Sequence, residues 1–247
     1  MNRALRKIIC TCLLSLLPVA ALQADQAPPV PNLGDRISDF KAQRPAPAAS
    51  QRAVMDRAAK DLAAAMPAPG LEAGTTAPDF TLPDSTGNAV QLAELLKQGP
   101  VVLIFYRGAW CPYCNMQLQA LKESMPHFER HGAQLVAVTP QTPDRSQQQI
   151  EKDAYPFTIL SDLDDQVMKA YNLYFEVPEE LRHLYLQDFD LDIAAYNGKD
   201  RYGLPVPGTF IIDRQGVIRA AHADTDYTTR MEPAAIIEAL GRISGNR

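Results

Sequence analysis

A chain of 247 residues with a formal net charge of −5 lacks the basic surface that nucleic-acid binding requires. It is long enough for one domain with a full core plus extensions, so it has no need of cysteines as structural staples. Of its four cysteines, only Cys111 and Cys114 lie beyond the first 24 residues, and a pair three positions apart points to chemistry rather than scaffolding.

Arg3, Arg6 and Lys7 precede an apolar run from Ile8 through Leu17, with small residues following at Ala20, Ala21 and Ala24. That order predicts a secretory leader over residues 1–24, cleaved after Ala24. The run is interrupted by Thr11 and Ser15 and falls short of the roughly 20 apolar residues a membrane span needs. Cys10 stands too early to accept a lipid, so no membrane association is expected after cleavage. The leader would take Cys10, Cys12 and three positive charges with it, moving the formal charge from −5 to −8. The expected location is the periplasm or another envelope compartment, where disulfides persist.

Residues 25–76 form an Ala- and Pro-rich arm with one predicted helix from Gln51 to Met66, in which Val54, Ala58, Leu62 and Met66 make an apolar stripe. The domain proper is expected over 77–247. Phe80 and Leu82 alternate with polar residues, and Gly87-Asn88 marks a turn before Val90, so a short entry hairpin is expected. Val101 through Tyr106 is continuously apolar, as in a strand covered on both faces. Cys114, Leu118, Leu121, Met125 and Phe128 then recur at helical spacing, with Pro126 expected to kink or restart that helix. Leu135 to Val138 reads as a second buried strand, parallel to the first.

Helical stretches are expected near Arg145 to Lys152 and Asp164 to Tyr171. The acids at Asp162, Asp164 and Asp165 read as helix caps. Residues 174–205 read as an insertion with its own helix start at Pro178-Glu179-Glu180. Its aromatics predict that it covers the cysteine face or a dimer interface. Thr209 to Asp213, a turn at Arg214-Gln215-Gly216, and Val217 to Ala220 form the last hairpin, and a helix from Pro233 to Ile243 closes the domain.

Trp110-Cys111-Pro112-Tyr113-Cys114 falls where the buried strand gives way to a helix. Cys111 is then near the N-cap, and Pro112 takes the first helical position, where its missing N–H costs nothing. Residues three apart on a helix stand within about 5 to 6 Å, a separation a disulfide spans, so Cys111 and Cys114 can open and close without refolding. Free N–H groups and the helix dipole favour thiolate there.

This motif resembles the thioredoxin superfamily, and its Pro-Tyr centre is similar to that of glutaredoxins. Ala77-Pro78-Asp79-Phe80-Thr81-Leu82, Phe105-Tyr106-Arg107-Gly108, Ser161-Asp162, Ala170-Tyr171 and Gly208-Thr209-Phe210-Ile211-Ile212-Asp213 together resemble the alkyl hydroperoxide reductase and thiol-specific antioxidant family, the peroxiredoxins. The likeness covers roughly residues 75 to 240 and is greatest to a branch with Arg-Gly-x-Trp-Cys-Pro-Tyr-Cys. It implies an α/β, thioredoxin-like fold: a central mixed sheet flanked by helices, with a helical N-terminal arm and an insertion before the last hairpin.

The resemblance places Cys114 at the peroxidatic position and implies a thiol peroxidase acting on hydrogen peroxide and organic hydroperoxides. Cys114 would become sulfenic acid, condense with the resolving Cys111 to a disulfide, and be regenerated by a thioredoxin-like protein reductant. It implies no metal or organic cofactor, and is compatible with a homo-oligomer. Where the family has a Pro, a Thr three residues before the cysteine and a later Arg, this chain has Arg107, Cys111 and Pro207. Arg107 and Arg201 are the candidates for the missing positive charge, Trp110 for a contact at the site, and Pro207, beside Pro205, for a cis-proline loop facing the cysteines.

Two other functions compete. A thiol-disulfide oxidoreductase would use Cys111 as the attacking thiol on protein disulfides, and a non-catalytic module would hold the pair as a fixed bridge. Cys111, Cys114, His127 and His131 also match a zinc-finger spacing. A helix from Cys114 to Phe128 would separate the cysteines from His127 by roughly 20 Å, too far to share a metal. His183 and His222 have no partner at catalytic or metal spacing.

Overall fold

The computed structural model describes residues 27–245, so the leader expected over residues 1–24 lies outside the described residues. The arm contains two helices where one is expected. Helix α1 (Leu33–Gln43) precedes α2 (Ala49–Ala65). α1 buries only Leu33 and Ile37, against α4, a stripe too sparse for its period to stand out.

The entry hairpin follows as β1 (Thr81–Pro83) and β2 (Ala89–Gln91), paired antiparallel, and α3 (Leu92–Gln98) leads into β3 (Val101–Phe105). Next come α4 (Pro112–Arg130), β4 (Gln134–Thr139), α5 (Pro143–Asp153), β5 (Thr158–Ser161) and α6 (Gln166–Ala170). The insertion is β6 (Tyr174–Glu176), α7 (Glu179–Phe189), α8 (Ala194–Asn197) and β7 (Gly203–Pro205). β6 pairs antiparallel with β7, so the excursion closes on itself. Then β8 (Gly208–Ile212), β9 (Ile218–Ala223) and α9 (Pro233–Gly245) complete the fold. α4 passes through Pro126 as one helix. Pro126 has no N–H to give the Lys122 carbonyl, and the helix continues past that one missing hydrogen bond.

The main sheet has the order β5-β4-β3-β8-β9. β3, β4 and β5 run parallel, while β8 is antiparallel to both β3 and β9. β3 lies in the middle and is apolar throughout because both of its faces are covered. Val101, Leu103 and Phe105 point into a core with Tyr171 and Phe210. Val102, Ile104 and Tyr106 point into a second core that holds α4, α9 and both cysteines. The cysteine pair is thus mounted on the middle of the sheet, at the carboxyl end of its central strand.

Candidate active site

The chain leaves β3 through Tyr106, Arg107 and Gly108. Gly108 has φ +144°, and a Cβ there would fall 2.6 Å from the indole nitrogen of Trp110. Only glycine permits that turn with the indole laid across it. The Gly108 carbonyl accepts from Cys111 N–H at 3.1 Å. Cys111 is the N-cap of α4, its sulfur accepting from Cys114 N–H at 3.4 Å, and Pro112 occupies the first turn.

A buried amide network holds this turn. Gln141 Oε1 accepts from Ala109 N–H at 3.1 Å, while its amide donates to the Tyr106 hydroxyl and to Gln149 Oε1. Tyr106 donates to the same Gln149 oxygen at 2.8 Å. Gln149 in turn donates to Asn115 Oδ1, and Asn115 donates to the Ala109 carbonyl at 2.7 Å. The loop before the cysteines and the first turn of α4 are therefore tied to one another and to α5. Gln141 and Gln149, both nearly inaccessible, carry no sequence motif and were not anticipated.

The two sulfurs stand 2.7 Å apart, and both are unpaired covalently. Cys114 is fully buried and Cys111 is 1% exposed. Burial raises both thiols, but the outcomes diverge. Cys111 ends well above the ordinary thiol range, through burial and its contact with Cys114. For Cys114, burial is overcome by the hydrogen bond with Cys111, by the charges of Arg230 and Arg107, and by the backbone N–H of Arg107, which bring it down to about 6. At neutral pH the pair is a Cys114 thiolate beside a Cys111 thiol.

Of the two arginines proposed from the sequence, Arg107 is at the site and Arg201 is not. The Arg107 guanidinium is buried, donates to the Tyr185 hydroxyl at 3.0 Å, and stacks 4.8 Å from the Trp110 ring and 4.5 Å from the Tyr227 ring. Arg201 instead pairs with Asp165 at 2.7 Å and donates to the Pro140 and Asp162 carbonyls, fastening the insertion to the loop before α6. A structural task has claimed it.

The second charge at the sulfur comes from Arg230, which sequence reading missed. It lies between β9 and α9, in a polar stretch without periodicity. Its Nη1 donates to the Tyr227 and Thr229 carbonyls, which leaves Nη2 directed at Cys114 Sγ, 3.5 Å away. The insertion also reaches the site, since Tyr185 of α7 packs on Trp110 with ring centroids 6.3 Å apart. Pro207 follows a trans peptide, as every described proline does. It lines a cavity together with Arg107 and makes no cis-proline loop.

The remaining polar residues have local tasks. Asp162 accepts from Met168 N–H at 2.8 Å and Asp164 from Gln166 N–H at 3.2 Å, as caps do. His127 Nε2 lies 2.7 Å from the Pro28 carbonyl oxygen, and His131 contacts Ser244.

The relatives found include several peroxiredoxins and also the thiol-disulfide oxidoreductase ResA of Geobacillus kaustophilus, 27% identical over 147 residues, covering 59% of this chain and 66% of that protein. Residues 73–221 match the AhpC/TSA family. Peroxiredoxin Bcp of Escherichia coli K12 is 35% identical over 107 residues, covering 43% of this chain and 67% of that protein. The chloroplastic peroxiredoxin Q of Sedum lineare is 29% identical over 166 residues, 67% of this chain and 73% of that one. Among solved structures, peroxidoxin BcpB from Mycobacterium tuberculosis superposes with a TM-score of 0.55 at 22% identity, covering 72% of this chain and 99% of that chain.

Proposed function

The chain belongs to the AhpC/TSA family, and on that premise we propose that it is a thiol-dependent peroxidase whose chemistry runs through Cys114 as the peroxidatic residue and Cys111 as the resolving one. The observation that carries the assignment is the asymmetry of the pair: Cys114 is held as thiolate near two guanidinium groups, and Cys111 is held protonated beside it. The Cys114 thiolate attacks the terminal oxygen of a hydroperoxide, the O–O bond breaks, and the alkoxide or hydroxide leaves and takes a proton from water. Cys114 is now a sulfenic acid. The Cys111 thiol attacks its sulfur, water departs, and the disulfide forms. A dithiol protein of thioredoxin type reduces that disulfide by exchange and is itself oxidised.

Arg230 and Arg107 supply the charge that keeps the thiolate and faces the oxygen on which negative charge develops. The Trp110 ring lies 4.8 Å from the Arg107 guanidinium, within cation–π range. Access distinguishes the first step of this reading from thiol-disulfide exchange on protein partners. With Cys111 at 1% and Cys114 at 0% exposure, a protein disulfide reaches the reduced pair only if the surrounding structure opens, and a similar opening after oxidation admits the thioredoxin-type reductant to the disulfide. A small peroxide needs a far smaller opening.

Substitution tests the roles. In a Cys111→Ser protein, hydrogen peroxide is expected to convert Cys114 to a sulfenic acid trapped by dimedone, and Cys114→Ser is expected to abolish rapid peroxide consumption. Labelling of Cys111 in the second variant, with Cys114 inert in the first, would reverse the assignment and favour the oxidoreductase. The leader further supports an exported protein working in an envelope compartment, with reducing equivalents delivered there by the thioredoxin-type partner.

A further inference from the structure

Arg107 is a buried guanidinium without a carboxylate. None of the ion pairs among the described residues includes it, and the one hydrogen bond its guanidinium makes there runs from Nη2 to the Tyr185 hydroxyl, at 3.0 Å. The rings of Trp110 and Tyr227 flank it. Aromatic faces attract a cation without fixing which way its fork points, whereas a hydrogen bond from a charged donor is both strong and directional. The orientation of this cation therefore depends on Tyr185.

Beside Arg107 lies a cavity of about 320 Å³, lined by Arg107, Tyr185 and Tyr227 and also by Asp61 and Glu176, whose side chains are exposed. Neither cysteine lines it. A guanidinium free to turn is drawn there by water and by the two carboxylates, away from the sulfur, because a buried charge is costly unless it is paired.

Tyr185 comes from α7 of the insertion and is 8% exposed, with its ring against Trp110. α7 is itself held from outside by α2. Val54, Met55 and Ala58 share an apolar cluster with Leu181 and Tyr185, Gln51 donates to Asp188 at 3.0 Å, and Arg57 pairs with Glu180 at 2.8 Å.

We propose that Tyr185 is a positioning residue for the reactive thiolate: its hydroxyl holds the Arg107 guanidinium toward Cys114, which makes α7 of the insertion part of the active site. The consequence for catalysis rests on the peroxidase reading above. The groups that act on Cys114 are Cys111 on its own helix, Arg107 and Tyr106 after β3, and Arg230 before α9. Tyr113 and Tyr227 face Cys111. Tyr185 bonds to neither cysteine and acts through Arg107.

Tyr185→Phe keeps the ring on Trp110 and deletes the hydroxyl. Alkylation of Cys114 by iodoacetamide is followed against pH in the Cys111→Ser protein with and without this change. The midpoint is expected to rise by about one unit, a roughly tenfold loss of thiolate at pH values below the new midpoint. In a Cys111→Ser protein that also carries Arg107→Gln, adding Tyr185→Phe is expected to move the midpoint no further, since the group it positions is gone. A role in packing alone would lower the unfolding midpoint and leave the titration where it was. An unmoved or lowered titration midpoint overturns the proposal, and so does an equal further rise in the absence of Arg107.

The titration uses no peroxide, so the two readings fail separately. With the hydroxyl gone, kcat/KM for hydrogen peroxide is expected to fall about tenfold below the new midpoint. A wild type that consumes no peroxide, while the midpoint still rises in Tyr185→Phe, sinks the peroxidase reading and leaves Tyr185 as the residue that positions Arg107 at the thiolate.

Discussion

Cys111 and Cys114 share one side chain and one turn of helix, and their environments drive them apart. Cys111 caps α4 but receives no direct bond from a cation, so burial dominates it. Cys114 faces inward and meets Arg230 Nη2 at 3.5 Å. Since thiolate is the nucleophile, activity should follow its population. Initial peroxide consumption, and alkylation of Cys114 in the Cys111→Ser protein, are both measured against pH. In the wild type the rate is expected to climb through about pH 6 and level above it, because Cys114 protonates below that value. In Arg230→Gln the midpoint is expected to move toward the ordinary thiol range. Each unit of that shift costs about tenfold in thiolate at pH values below the new midpoint. An unmoved midpoint would remove Arg230 from the site.

Single helices also act as wholes here. α1 is strapped over the loop that carries Arg230: the Glu232 carboxylate accepts from Leu33 N–H at 2.9 Å and Gly34 N–H at 2.7 Å, at the positive end of the α1 dipole. At the other end, Lys41 donates to Thr228 at 2.6 Å, and Phe40 meets Tyr113 of α4 edge-on at 5.4 Å. Tyr113 in turn packs on Tyr227. The strap and the loop together roof the cysteine pair. Replacing Glu232 with Ala removes the charged acceptor of two backbone donors, a loss of about 0.5 to 2 kcal/mol by analogy with side-chain caps. The expected result is faster labelling of Cys114, the thiolate of the pair, by a bulky maleimide, with the global unfolding midpoint lowered only modestly. Labelling at the wild-type rate would show that α1 does not govern access.

At the scale of the whole molecule, the central sheet, the arm and the insertion meet at one place. Export predicts a mature N-terminus near Asp25, read by terminal sequencing of protein recovered from the envelope; a form beginning at Met1 would contradict it. The sequence by itself determined the elements whose signals are local. Val101 to Tyr106 reads as the central strand because both faces of β3 are buried. Pro112 marks the start of α4, and Gly87-Asn88 the entry hairpin, because turn and cap chemistry is written in neighbouring residues. The pairing of Cys111 with Cys114 is equally local. Only the tertiary structure decided which charges serve that pair. Arg230 stands 116 residues from Cys114, Tyr185 stands 78 residues from Arg107, and the Glu232 cap of Leu33 spans 199. None of these separations leaves a periodic trace. Arg107 and Arg201 were equal candidates in the sequence because a guanidinium's role depends on what folds up against it. For Arg107 that is a thiolate and two aromatic rings, and for Arg201 a carboxylate and three backbone carbonyls.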